Sequence, residues 1–118
     1  MNISMFHNPK CGKSRETLKL LNEKGIEPNI ILYLTAPPTQ KDLSEILKKL
    51  GMEPKRLIRF KEPVAGELGL KPSDTRPDAE WIKRMVENPI LIERPIVITP
   101  TKAALGRPPE NVLELIGL

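Results

Sequence analysis

The chain contains a single cysteine and a single histidine among its 118 residues. One cysteine excludes an internal disulfide bond. One residue of each kind also argues against a zinc site of cysteines and histidines, because such sites use three or four of these ligands. We therefore expect no bound metal. If the protein performs thiol redox chemistry, the second sulfur of any disulfide must come from another molecule.

Long apolar runs are missing as well. No run approaches the ~20 residues that cross a bilayer, and the sequence turns polar after Phe6, unlike a secretory signal. We therefore expect a cytoplasmic protein with no membrane contact.

The net charge is only +4, with cationic and anionic residues mixed along the chain. Nucleic acid is therefore not an expected partner. A few arginines that bind a small anion would account for the same excess of positive charge.

The pattern of apolar residues predicts a small α/β protein. Prolines number 13 and are spread between short elements, and no linker or repeat interrupts the chain, which predicts a single domain over residues 1–118. The predicted order is a strand, a helix, a strand, several helices, two strands and a helix, which indicates a mixed sheet covered by helices on both faces. Strands are predicted at 2–6, 29–34, 96–99 and within 101–106. The first two helices end at Gly25 and Gly51, and the second is capped by Thr39. A later helix is capped by Asp78, the last helix begins at Pro108, and 66–70 is irregular.

The segment HNPKCGKSR, residues 7–15, lies between the first strand and the first helix. Backbone N–H groups and the helix dipole at this point bind anions and favour a thiolate, so Cys11 is predicted to be a reactive nucleophile rather than an inert buried thiol. His7 would add positive charge, or is simply a hydrogen-bonded surface residue. Gly12 lets a ligand approach the backbone closely. Ser14 stands where a C-x-x-C motif has its second cysteine, and it either caps the helix or hydrogen-bonds the thiolate.

Three arginines are candidates for binding an oxyanion. Arg94 precedes Pro95 at the start of a late strand, where a cis-proline would face the cysteine loop. The guanidinium of Arg94 would donate a pair of hydrogen bonds to oxyanion oxygens. The alternative for Arg94 is an ion pair with a carboxylate. Arg59 and Arg107 are weaker candidates, because each also fits an ordinary exposed arginine.

Together these segments closely resemble the glutaredoxin-coupled arsenate reductases, the ArsC-like family, over nearly the whole chain. The resemblance implies an α/β, thioredoxin-like (glutaredoxin-type) fold, in which a mixed β-sheet is flanked by helices and carries an inserted helical segment. The matching segments are His7-Asn8-Pro9-x-Cys11-Gly12-x-Ser14-Arg15, the run ILYL at 31–34, LGL at 68–70 and Ile92-x-Arg94-Pro95-Ile96-Val97.

The resemblance also implies a mechanism. Cys11 would attack arsenate and release water, glutathione would then yield arsenite and a mixed disulfide, and glutaredoxin would remove the glutathione. Arsenate, glutathione and glutaredoxin are thus the implied partners, glutathione is a co-substrate, and no cofactor is bound. An external thiol donor suits a chain with one cysteine. By position, Cys11 matches the nucleophile, and His7 matches a residue that helps hold the thiolate. The arginines that bind the oxyanion are matched by Arg59, Arg94 and Arg107. Pro95 matches the cis-proline of the family.

Two other functions are compatible with the same fold. One is a redox-responsive regulator that binds RNA polymerase, and the other is a thiol oxidoreductase with a different substrate. The regulators in this family commonly carry two cysteines in the first loop, so Ser14 argues against that branch. The presence of Arg59, Arg94 and Arg107 also favours the arsenate reductase, because a regulator does not need to bind a small oxyanion.

Overall fold

The computed structural model describes residues 2–117 and divides into two compact units. Among the described residues, one unit combines 2–36 with 94–117, and the other is the continuous segment Pro37–Glu93. The second unit therefore interrupts the first in sequence, as expected for an inserted segment. The assignment of residues 1–118 to a single domain stays a prediction.

The first unit contains a mixed four-stranded sheet, which confirms the predicted sheet type. Strands β1 and β2 are parallel, whereas β3 is antiparallel to both of its neighbours, and the strand order is β2-β1-β3-β4. The strands are β1 (Ser4–Phe6), β2 (Asn29–Ile31), β3 (Ile96–Ile98) and β4 (Ala103–Leu105).

Helix α1 (Gly12–Glu23) joins β1 to β2 as a crossover, which is the kind of connection that parallel strands require. The last helix, α5 (Asn111–Leu115), begins later than the predicted Pro108, because residues 108–111 form a turn closed by the Asn111 N–H. Both helices pack on one face of the sheet, since Leu21 and Val112 share a buried cluster with alternate strand residues such as Met5.

Strand β2 is shorter than the predicted 29–34 because the chain turns after Ile31. The carbonyl of Leu32 accepts hydrogen bonds from the N–H groups of Thr35 and Ala36 at 3.0 and 2.9 Å. This turn ends the extended backbone while Tyr33 remains buried and stacks on Phe6. The apolar run therefore extends beyond the strand, and Tyr33 is buried whereas Ile30, Leu32 and Leu34 are exposed.

The second unit is helical, with α2 (Gln40–Leu50), α3 (Pro63–Glu67), α4 (Asp78–Glu87) and 3-10 turns at Pro54–Leu57 and Pro89–Leu91. The α2 boundaries are as predicted: the Thr39 hydroxyl accepts the Asp42 N–H at 3.1 Å, and Gly51 is left-handed at φ 66°. The prediction of irregular backbone at Gly66 is wrong, because this residue lies within α3. Within 2–117, no helix is both long and apolar enough to cross a membrane.

Candidate active site

Asn8 shapes the loop that carries the cysteine. Its carbonyl accepts the N–H of Cys11 at 2.9 Å, and its side-chain Oδ1 accepts the N–H of Lys10 at 3.0 Å. An asparagine side chain that bonds the backbone two residues ahead favours a tight turn. The chain therefore reverses directly after β1 and brings Cys11 to the beginning of α1.

Cys11 occupies the N-cap position of α1, with extended backbone at φ −95° and ψ 125°. The helical hydrogen bonds begin where Arg15 donates to the Cys11 carbonyl at 3.0 Å. The N–H groups of residues 12–14 consequently have no acceptor within the helix, as at any helix N-terminus. Together with the helix dipole they form a favourable environment for an anion beside the sulfur.

Arg107 supplies a positive charge next to this sulfur. Its Nη2 lies 3.9 Å from Cys11 Sγ, within reach of a weak hydrogen bond, and its Nε donates to the Arg94 carbonyl at 2.8 Å. The β3–β4 pairing brings Arg94 and Arg107 together, because these residues flank the paired Ile96 and Leu105. The Arg94 backbone carbonyl thus orients the guanidinium of Arg107 toward the cysteine.

The ring of His7 is buried and contacts Ser14. Its Nδ1 lies 2.6 Å from Ser14 Oγ, and the same oxygen accepts the N–H of Asn8 at 3.0 Å. Burial lowers the pKa of His7 below 6.5, and the positive charge of Arg15 lowers it further. We therefore assign a neutral ring to which the Ser14 hydroxyl donates at Nδ1, leaving the ring proton on Nε2.

This arrangement corrects two expectations from the sequence. The neutral His7 ring does not supply positive charge at pH 7, and Ser14 is the third residue of α1 rather than its cap. Ser14 instead ties the end of β1 to the first turn of α1. A role of His7 or Ser14 in holding the thiolate stays a prediction.

The lowered pKa of His7 predicts a loss of stability in acid. Below pH 6.5 the unfolded chain takes up the proton first, so the free energy of unfolding should fall with pH until the folded-state pKa is also passed. Urea unfolding of the wild type and of His7→Gln between about pH 8 and about pH 5 would measure this. The difference between the two profiles isolates the only histidine of the chain. An equal slope in both proteins would contradict the assignment.

The other two predicted arginines are placed differently from Arg107. Arg94 offers its backbone carbonyl to Arg107, and the Arg94–Pro95 peptide bond is cis, as the resemblance implies; the Arg107–Pro108 bond is also cis. Arg59 lies in the second unit, where its guanidinium pairs with Glu62 and, at 3.6 Å, with Glu93. The contacts of the Arg59 and Arg94 side chains with a substrate stay predictions.

Gly12 is not required by the packing of the protein itself. A Cβ at this position would meet only Arg15 Nη2, at an ordinary 3.9 Å, and the residue is not left-handed. The space beside the Gly12 backbone is therefore open to a ligand. Its use for that purpose stays a prediction.

Gly106 is a residue that the sequence interpretation missed. It is buried, and its N–H donates to the Pro95 carbonyl at 2.9 Å. A Cβ there would stand 2.6 Å from Thr17 Oγ1 and 2.7 Å from Pro95 Cγ, closer than real atoms approach. Helix α1 and the Pro95 segment thus meet at this glycine, immediately before Arg107. The one available signal was a glycine directly preceding a candidate arginine.

We expect Gly106→Ala to destabilise the protein by about 1–3 kcal/mol, as overpacking of a buried site does, and to displace Arg107 from the cysteine. Gly66→Ala is the matched control, because a Cβ there meets nothing within 4 Å and the residue lies in a helix. Urea unfolding of both variants measures the difference. Equal stability of the two alanine variants would show that the close approach at Gly106 has been misjudged.

Comparisons with known proteins identify the family and the fold of the chain. The model of the ArsC family matches residues 6–115. An uncharacterized protein YfgD from Escherichia coli K12 is 50% identical over 116 residues, which cover 98% of this chain and 97% of that protein. An arsenate reductase from Haemophilus influenzae is 47% identical over 117 residues, covering 98% of this chain and 100% of its own.

The solved structure of an arsenate reductase from Vibrio cholerae superposes with a TM-score of 0.91 at 44% identity, over 97% of each chain. This match confirms the thioredoxin-like fold with a mixed sheet flanked by helices. Because the family model covers nearly the whole chain and relatives well above 30% identity align along its full length, the chain belongs to the ArsC family.

Proposed function

We propose that this protein is an arsenate reductase that uses glutathione and glutaredoxin as external reductants. The relatives named as arsenate reductases support the reaction class. The observation that carries the proposal is the Arg107 guanidinium 3.9 Å from the Cys11 sulfur, at the open N-terminus of a helix. A nucleophile, a fixed cation and backbone donors in one place suit attack on a small oxyanion.

In the first step, arsenate binds between the N–H groups of residues 12–14 and the guanidinium of Arg107. The Cys11 thiolate attacks the arsenic atom and forms an arsenic–sulfur bond. One arsenate hydroxyl group takes up a proton and leaves as water. Arg107 neutralises negative charge on the remaining oxygens, and we propose that Arg94 and Arg59 share this task.

In the second step, a glutathione thiolate attacks the Cys11 sulfur. The arsenic–sulfur bond breaks, and its electron pair stays on arsenic, which leaves as arsenite. Arsenic is thereby reduced from the pentavalent to the trivalent state, while the two thiols are oxidised to a mixed disulfide. Glutaredoxin then takes the glutathione from Cys11 by thiol–disulfide exchange and regenerates the enzyme.

The external reductants follow from the cysteine count. With no second thiol in the sequence, the mixed disulfide cannot be resolved within the chain. Abundant reduced glutathione is a property of the cytosol. We therefore propose the cytoplasm as the site of action, and no membrane or nucleic-acid partner.

A coupled assay tests the proposal. The protein is mixed with glutathione, glutaredoxin, glutathione reductase and NADPH, and the arsenate-dependent oxidation of NADPH is followed. Phosphate, selenate and chromate are run in parallel. We expect turnover with arsenate that requires both glutathione and glutaredoxin.

Two other results would each be informative. Turnover with a different oxyanion alone would replace arsenate as the substrate and keep the thiol chemistry. Binding to RNA polymerase without any oxyanion turnover would instead favour the regulator and overturn the proposal.

A further inference from the structure

The β2 strand is an edge of the sheet and exposes apolar side chains. Ile30 is 43% exposed and Leu32 46% exposed, although isoleucine and leucine are usually buried. An unpaired edge with apolar side chains is a template for pairing with another strand. The hydrogen-bonding groups on this edge determine which strand fits it.

The directions of these groups follow from the pairing with β1. Asn29 donates to the Ile3 carbonyl at 2.8 Å, and the Ile31 carbonyl accepts from His7 at 3.0 Å. Because N–H and C=O point in opposite directions across a trans peptide, the Pro28 carbonyl and the Leu32 N–H point away from β1. Both the N–H and the C=O of Ile30 point away as well.

This pattern is complementary to itself. In an antiparallel pair centred on Ile30, two copies of Ile30 exchange both hydrogen bonds, and each Leu32 N–H donates to the Pro28 carbonyl of the other copy. A regular antiparallel pair would also have residue 28 donate its N–H to the Leu32 carbonyl of the other copy, but proline has no N–H. The acceptor facing it, the Leu32 carbonyl, already accepts from Thr35 and Ala36. Four hydrogen bonds therefore form, and no group of the pair is left unmatched.

The side chains are also compatible with the two-fold arrangement. The Ile30 side chains of the two copies would lie directly opposite each other, which is a favourable cross-strand pair. Glu27, the one charged residue among residues 27–33, lies three residues before Ile30 and therefore does not face its own copy across the two-fold axis. The two carboxylates are thus at opposite ends of the paired segment, and like charges do not meet.

We infer that the β2 edge is a homodimer interface, in which two copies pair antiparallel about a two-fold axis at Ile30. The interface joins two four-stranded sheets into one of eight strands. A contact made by one short strand from each copy is weak. We therefore expect a dissociation constant between about 10 µM and about 1 mM. The inference uses sheet geometry alone and is independent of the proposed activity.

Sedimentation velocity tests the inference with the full chain, in a reducing buffer so that Cys11 cannot form an intermolecular disulfide. Concentrations run from about 1 µM to about 1 mM. Ile30→Lys and Ile30→Glu place like charges opposite each other, and each should weaken dimerisation at least tenfold. Because position 30 faces itself, an equimolar mixture of the two variants should associate again. Ile90→Lys is the matched control, because Ile90 is equally exposed at 44% and should leave dimerisation unchanged.

Circular dichroism of each variant establishes that it remains folded. A wild-type protein that stays monomeric up to about 1 mM would overturn the inference. So would Ile30 variants that dimerise like the wild type, a mixture that does not associate, or an Ile90→Lys variant that loses the dimer equally. In the last case the interface lies elsewhere.

Discussion

Replacement of Cys11 by serine should abolish arsenate-dependent NADPH oxidation, with a loss of at least roughly 10³-fold in kcat. The sulfur is both the atom that attacks arsenic and one of the two sources of reducing electrons, so a serine hydroxyl can replace neither function. The coupled assay with wild type and Cys11→Ser at equal concentration measures the effect.

The fold should survive this substitution. Cys11 is the N-cap of α1 but makes no side-chain hydrogen bond to the helix, and serine is among the best N-cap residues. The thermal midpoint of Cys11→Ser should therefore equal or exceed that of the wild type. A variant that is stable and still turns over arsenate would remove Cys11 from the mechanism.

Removal of the Arg107 guanidinium should have the second largest effect. We expect Arg107→Ala to lower kcat/KM for arsenate by roughly 10²-fold or more, the usual result of removing a preorganised donor to an oxyanion. Arg107→Lys should recover only part of this loss. A lysine cannot donate to the Arg94 carbonyl and reach the sulfur at the same time.

Alkylation of Cys11 separates the charge of Arg107 from a general loss of structure. The rate with anionic iodoacetate should fall more in Arg107→Ala than the rate with neutral iodoacetamide, because the cation attracts only the anion. Arg56→Ala removes an exposed cation in the second unit and serves as the control. Equal losses with both reagents would show that Arg107 acts on packing rather than on anions.

The local elements were predictable because their signals are local. Glycines that end α1 and α2 adopt the left-handed backbone that their positions require, at φ 78° for Gly25 and φ 66° for Gly51. Short apolar, β-rich runs located the first three strands, and the fourth lies within the predicted 101–106. Strand β2 was predicted too long because its apolar run continues into a turn, and an apolar composition alone does not distinguish a turn from a strand.

The site was only partly predictable because its contacts join remote parts of the chain. The loop sequence pointed to Cys11, His7 and Ser14, but the hydrogen bond between His7 and Ser14 depends on how β1 and α1 are oriented. The contact of Arg107 with Cys11 spans 96 positions and depends on the β3–β4 pairing. Taken alone, Arg107 resembled any exposed arginine.

The close packing at Gly106 shows the same limit more clearly. Nothing in the local sequence indicates that Thr17 and Pro95 pack so close to Gly106 that an added Cβ would lie within 3 Å of both. Such a requirement arises only when a helix, a loop and a strand converge. It is also where a small substitution has a large effect, because buried atoms cannot move aside at low cost.

The mass of the intact protein after a single turnover tests the central claim most directly. The protein is mixed with arsenate and glutathione, glutaredoxin is withheld, and the reaction is quenched with acid. The account predicts one glutathione per chain, on Cys11, formed only when arsenate is present and absent from Cys11→Ser. An unmodified protein, or the same adduct formed without arsenate, would contradict the account.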